Sequence, residues 1–321
     1  MGGLLFITAT RIGDAVLSTG ILGRFMADLP GVPVTVACGL PAAPLFQHVP
    51  GLERVHPMVK RRGGGHWFEL WRATVGRRWD AVVDLRGSAL AWLLPARRRH
   101  VRVRGLGSDI RHRVVELGQS FRFQPPPAPR LWLGAGDRAR AAALLPDGGP
   151  ILAVGPTANW PGKEWDPHRF AAMAQAMTGP GSELAGARVA VLADGRERDR
   201  VLPVLAAVPR DRLVDLVGQD LLTAAACIER ARLFVGNDTG LMHLAAAVGT
   251  PTLGLFGPTD DRIYGPWGPA TAVARTTESL ADLLGRPGFD PRTTGSMLDG
   301  LTVDAVAAAA TDLLARTRAA A

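Results

Sequence analysis

Short apolar runs alternate along this chain with longer segments in which apolar residues return every three or four positions. Residues 4–8 read as a buried strand. Residues 13–29 follow with helical spacing at Val16, Leu17, Ile21, Leu22 and Phe25. Residues 32–37 and 81–85 are further strand candidates, with a helix over 66–77 and a glycine-rich loop at 61–65 between them. The pattern restarts at residues 151–155, continues through a helix at 166–177, a strand at 188–193 and a helix at 197–208, and reaches a strand at 232–236. A helix opens at Thr239-Gly240, repeats Leu241, Leu244, Ala245 and Val248, and ends at Gly249 before a strand at 251–256. An Ala-rich helix over 302–316 closes the chain. Apolar runs that stop at glycine suit strands buried on both faces of a parallel sheet, and the periodic segments suit the helices that cross between them.

Two such halves predict an α/β protein of two doubly wound, Rossmann-like domains facing a central cleft. The expected division is 1–148 and 149–321, with 144–150 as linker and the final helix free to pack back on the first domain. The proline-rich stretch 124–129 reads as a surface loop, because proline can serve neither a central strand nor a helix interior. Ligands of such folds lie at the carboxyl ends of strands, which points to the cleft as the active site.

Composition narrows the class. The chain has 321 residues, 47% of them hydrophobic, and a net charge of +8. Of its 37 basic residues only Lys60 and Lys163 are lysines. Cys38 and Cys227 stand far apart with no CxxC spacing, which suggests core thiols in a reducing compartment. With no leader pattern and no apolar run of about 20 residues, the expected location is cytoplasmic. The densest basic stretch holds Arg97, Arg98, Arg99, Arg102 and Arg104, followed by Arg111 and Arg113. It offers a surface for an anionic glycolipid or the inner membrane face, or it is simply a solvated basic face. Nucleic acid is not the expected partner, since few aromatics interleave the charges and no recognition element is visible.

Candidate chemistry gathers at strand-to-helix turns. A helix opening on Asp238, Thr239 and Gly240 exposes bare N–H groups and the positive dipole end, which suits a phosphate or diphosphate, and His243 lies one turn in. Asp238 could equally be a plain helix cap. Asp14, in the turn that holds Arg11, is a general-base candidate or a capping carboxylate. In the loop 155–165, Thr157 and Asn159 offer hydrogen bonds and Lys163 a compact cation suited to a phosphate oxygen; alternatively Trp160 and Trp165 merely pin the loop. Either Asp194 or Glu197 could take ribose hydroxyls, or serve as an acid at a helix start. No HxxH or HExxH spacing exists, so a metal site is not expected. The GxGxxG and P-loop signatures are missing too, so no nicotinamide or ATP loop is read.

Three stretches together resemble glycosyltransferase family 9, which contains the ADP-heptose:lipopolysaccharide heptosyltransferases. They are Arg11-Ile-Gly-Asp-Ala-Val-Leu17, Asn159-Trp-Pro-Gly-Lys-Glu-Trp165 with His168-Arg-Phe170, and Gly236-Asn-Asp-Thr-Gly-Leu-Met-His-Leu-Ala-Ala-Ala-Val-Gly-Thr-Pro251 with Leu255-Phe-Gly-Pro-Thr259. Ala15 departs from the valine usual after the aspartate. The resemblance implies a GT-B fold and inverting, metal-independent transfer of heptose from ADP-heptose to a lipopolysaccharide-type acceptor, with no cofactor. It implies Asp14 as general base, and Lys163, Asp238, Thr239, Gly240 and His243 around the donor diphosphate. Thr157, Asn159 and Glu197 would lie near the nucleotide. Arg11 and the basic stretch would then meet acceptor anions. The rival readings are a GT-B sugar-nucleotide epimerase and a non-enzymatic basic protein that binds anionic glycans or nucleic acid.

Overall fold

The computed structural model describes residues 2–102, 110–291 and 293–319. Its chain divides into two units, Met1–Trp132 and Leu133–Ala321.

The first unit is a five-stranded, wholly parallel sheet. Its strands are β1 (Leu4–Ile7), β2 (Val34–Gly39), β3 (Leu52–Met58), β4 (Trp79–Asp84) and β5 (Ala96–Val101), in the order β3-β2-β1-β4-β5. Helix α1 (Ile12–Asp28) connects β1 to β2 in one direction, and α2 (Gly65–Thr74) connects β3 to β4 in the other. Right-handed crossovers therefore put α1 and α2 on opposite faces. Alternation along β1 sends Leu5 and Ile7 to the α2 face, where they pack with Leu70, Val82, Leu90 and Leu94. Helix α3 (Arg113–Ser120) packs beside α1.

Because the chain leaves β1 and β4 toward opposite edges, the carboxyl ends of these neighbours form a crevice. Ile7 and Asp84 are register partners at its floor. The turn from β1 into α1 is held by a close approach. A Cβ on Gly39 would lie 2.4 Å from the Thr10 Cα and carbonyl oxygen, and Gly39 N–H donates to the Ala9 carbonyl at 3.1 Å. Gly39→Ala is therefore expected to push that turn off the sheet and displace Asp14. The clash is with backbone rather than a flexible side chain, so the melting temperature should fall by several degrees. Thermal unfolding of the variant checks this.

The second unit opens with α4 (Ala135–Leu144) and continues with β6 (Ile151–Gly155), α5 (Pro167–Thr178), β7 (Arg188–Val191), α6 (Arg198–Ala207), β8 (Leu213–Asp215), α7 (Leu221–Glu229), β9 (Leu233–Asn237), α8 (Gly240–Ala247), β10 (Thr252–Phe256), α9 (Asp261–Tyr264), β11 (Thr271–Arg275), α10 (Leu280–Leu284) and α11 (Val303–Ala319). The sheet is parallel throughout, in the order β11-β10-β9-β6-β7-β8. Leu152, Val154, Val191, Val235 and Leu255 face a layer built from α5, α6 and α11. Ile151, Ala153, Leu192, Phe234 and Phe256 face α4, α7 and α8.

This arrangement moves the expected domain boundary. Residues 133–148 belong to the second unit, because Ala141 and Leu145 are buried in its core; the stretch 144–150 is an internal loop there, not a linker. The final helix buries Val306, Ala310, Leu313 and Leu314 in the core of its own unit. The stretch 124–129 packs on α1, where a Cβ on Gly20 would lie 2.3 Å from the Pro127 carbonyl oxygen.

Candidate active site

The second sheet has its own reversal point between β6 and β9, and most of the candidate residues meet there. Gly155 and Gly236 are register partners at the carboxyl ends of these strands. A Cβ on Gly236 would lie 2.7 Å from the Phe234 ring and 3.1 Å from the Gly155 carbonyl oxygen, so the floor has no room for side chains. From β6 the loop runs through Lys163, and from β9 the chain turns through Asp238 into α8. The Lys163 ammonium donates to Asp238 Oδ2 at 2.6 Å, and the Thr259 hydroxyl donates to the same oxygen at 2.9 Å. Asp238 is only 6% exposed.

Thr239 is the N-cap of α8 in extended geometry, yet its side chain caps nothing. Its hydroxyl is buried with no hydrogen-bond partner among the described residues. Gly240 follows with no side chain to cover the first-turn N–H groups, which have no carbonyl partner inside the helix. His243 is buried one turn in. A cation, a hydroxyl and a helix start thus converge on one point, the donor set that suits an anion.

The loop between β6 and α5 is held by residues that the motif pattern did not single out. Asn237, wholly buried, donates from Nδ2 to the Pro156 carbonyl at 2.7 Å and accepts the Trp165 N–H at 3.1 Å. Its place as the last residue of a buried strand was the available signal. Glu164 accepts the Ala158 N–H at 2.6 Å and pairs with Arg200. Arg275 donates to the carbonyls of Thr259 and Gly257, each at 2.9 Å, and fixes the loop that carries Thr259. Asn237→Leu would leave a buried N–H and carbonyl unpaired. At about 1–3 kcal/mol for each such group it should lower the melting temperature by several degrees, which thermal unfolding checks.

Thr157 and Glu197 are brought together: the Thr157 hydroxyl donates to Glu197 Oε2 at 2.7 Å, and Arg200 donates to Oε1 at 3.0 Å. Asn159 is exposed on the same loop. Asp194 is turned toward Arg196, whose guanidinium and backbone N–H bond to it and hold its carboxyl near pKa 2.

In the first unit Asp14 occupies the first turn of α1. The N-cap is Arg11, which makes no capping bond, and the partly buried Asp14 side chain has no hydrogen-bond or ion-pair partner among the described residues. It is thus not the helix cap that its position allowed.

The basic stretch is less of a patch than its sequence suggests. It forms the edge strand β5, whose alternation separates Arg97 and Arg99 from Arg98. Arg97 pairs with Asp80 at 3.3 Å, Arg99 donates to the carbonyls of Ala91 and Leu94, and Arg102 pairs with Glu116. Arg98 and Arg11 stay exposed with no hydrogen bond or ion pair among the described residues, and Arg104 lies outside them. Burial pushes the Cys38 thiol up to about 12 and Cys227 up to about 11, as befits core residues. Among the described residues no three His, Cys, Asp or Glu side chains gather as a metal site.

Residues 118–284, more than half of the chain, match the family described as glycosyltransferase family 9 (heptosyltransferase). The chain belongs to that family. Lys163, Asp238, Thr239, Gly240 and His243 lie inside the matched segment, whereas Asp14 precedes it. The family 9 chain is 24% identical over 296 residues to lipopolysaccharide heptosyltransferase 3 of Escherichia coli, covering 79% of this chain and 83% of that one. The structure of the E. coli ADP-heptose lipopolysaccharide heptosyltransferase II superposes with a TM-score of 0.76 at 20% identity, over 98% of this chain and 99% of that one. E. coli heptosyltransferase WaaC with ADP-2-deoxy-2-fluoro heptose gives 0.66 at 19% identity, over 94% and 97%. The fold is GT-B and the protein is a glycosyltransferase, which sets aside the reading as a non-enzymatic binding protein. No helix among the described residues is long and apolar enough to cross a membrane.

Proposed function

We propose that this glycosyltransferase moves a heptosyl group from ADP-heptose to a hydroxyl of an anionic, lipopolysaccharide-type glycolipid, with inversion at the transferred carbon. The observation that carries the reading is the convergence of Lys163, 2.6 Å from Asp238, with the unpartnered Thr239 hydroxyl at the start of α8. The lipopolysaccharide heptosyltransferases among its relatives support the sugar and the acceptor class.

The donor diphosphate lies against the first-turn N–H groups of α8, with Gly240 admitting the oxygens and Lys163 beside them. Asp238 belongs to the same group as the partner of that lysine. It holds the ammonium in place, with Thr259 fixing its oxygen. As the bond from the sugar to the phosphate oxygen breaks, the leaving ADP gains charge, and donors already aimed there stabilise it without reorganising. These groups take the part that a divalent ion would otherwise play. Glu197 and Thr157 form the ribose end of the site. The acceptor hydroxyl attacks the opposite face of the sugar while Asp14 takes its proton, so one bond forms as the other breaks. Arg11 and Arg98 meet acceptor anions. The protein works in the cytoplasm, at the inner membrane surface.

A melting screen against ADP, UDP, GDP and CMP, with and without magnesium, tests the donor half. ADP alone should stabilise the protein, by about 2.7 kcal/mol at a hundredfold excess over Kd, and a chelator should change nothing. Stabilisation only by another nucleotide, or only with magnesium, would contradict the reading.

A further inference from the structure

The three most exposed large apolar side chains of the described residues are Trp92, Leu93 and Phe68, at 67%, 64% and 62%. They belong to two neighbouring segments of the first unit, α2 and the turn at 89–93. Trp67, Phe68, Trp71, Leu90 and Leu93 line a groove of about 660 Å³ there, and among the described residues Arg86 is the only charged side chain and Ser88 the only hydroxyl on its wall. Such a volume falls within the roughly 300–1,000 Å³ of small-molecule sites. Phe68 and Trp71 stack at 5.7 Å between ring centroids. The Arg86 guanidinium lies 5.3 Å from the centre of the Trp67 ring, and its Nη1 is buried with no hydrogen-bond partner among the described residues.

The turn that carries Arg86 is rigidly set. Asp84, fully buried, accepts the N–H groups of Arg86, Gly87 and Ser88 and the Ser88 hydroxyl, at 2.6–3.1 Å. A nucleotide or a free sugar needs many polar partners, and this wall supplies almost none. A long apolar chain ending in an acid fits both the aromatic walls and the lone cation.

We infer that this groove binds the acyl chain of an anionic lipid, with the acidic headgroup on Arg86. Asp84 and Ile7 are register partners, so the turn that carries Arg86 leaves the same carboxyl edge of the sheet from which α1 starts. Identifying the lipid as that of the acceptor rests on the glycosyl-transfer reading; the lipid site itself does not.

The test uses the whole protein without nucleotide and a monomeric lysophosphatidylglycerol brominated along its chain, which quenches tryptophan emission on contact. Lysophosphatidylcholine with the same chain and glycerol 3-phosphate are the comparison probes. Saturable quenching is expected, with the anionic lipid favoured about tenfold and glycerol 3-phosphate unable to compete. Arg86→Gln should erase the headgroup preference while chain binding survives. The exposed double variant Phe68→Ser/Leu93→Ser should weaken both lipids about tenfold. No quenching, or quenching that these variants leave unchanged, would overturn the inference. Binding to phosphatidylglycerol vesicles without binding of the monomer would also overturn it, making the patch a bilayer-docking face. ADP-induced stabilisation, measured on the same samples, reports separately on the donor site: its loss with quenching retained would remove the transfer reading and keep the lipid site.

Discussion

Asp14→Asn is expected to lower turnover by about 10²–10⁴-fold, the usual worth of a positioned general base, and to leave ADP affinity unchanged. The side chain sits in the first turn of α1, partly buried and with no hydrogen-bond or ion-pair partner among the described residues. Its removal therefore breaks no structural bond, and any loss of activity is chemical. The isosteric amide cannot accept the hydroxyl proton, so kcat should fall while the melting temperature stays within about two degrees. A favourable acidic group near the positive end of a helix contributes at most about 1 kcal/mol at a surface. Activity near that of the parent would remove Asp14 from the mechanism.

Lys163→Ala should cost about 10²–10³-fold in kcat and weaken ADP binding, since a donor aimed at developing charge is worth that much when deleted. It also leaves Asp238, 6% exposed, with Thr259 as its remaining side-chain partner, so stability should drop. Breaking a buried pair by removing one partner costs about 3–5 kcal/mol. The 19% exposure of the Lys163 side chain places this case below that range. The double variant Lys163→Ala/Asp238→Asn separates the two effects, because removing the orphaned charge should restore the melting temperature without restoring ADP affinity. Lys163→Arg should recover stability better than turnover, for a planar fork does not occupy the place of a compact ammonium. Calorimetric ADP titrations and melting curves on the four proteins decide this. Recovery of ADP affinity in the double variant would contradict the role given to Lys163.

The central strands β1, β4, β6, β9 and β10 were legible because they are buried on both faces and read as unbroken apolar runs. Edge strands were not. Strand β5 reads Ala-Arg-Arg-Arg-His-Val and looks like a solvated basic stretch, and β3 and β8 mix polar and apolar residues because only part of each is covered. The domain boundary was misplaced because the loop at 144–150 carries stronger turn signals than the true division, while the burial of Ala141 that ties α4 to the second core is a tertiary fact. In the site, the motif residues Lys163 and Asp238 stood out individually. Their contact across 75 positions, and the bonds by which Asn237 and Arg275 hold the two loops, depend on a strand order that local pattern does not encode. The same holds for the aromatic groove, whose two walls come from separate crossovers.

The measurement that bears most directly on the whole account is ADP release from ADP-heptose, followed with and without a lipopolysaccharide-type acceptor in the presence of a chelator. Release is expected only with acceptor, one ADP for each heptose found on the glycolipid, with near-complete loss in Asp14→Asn. Conversion of the donor to an epimer without acceptor, or acceptor-independent release that Asp14→Asn leaves untouched, would contradict it.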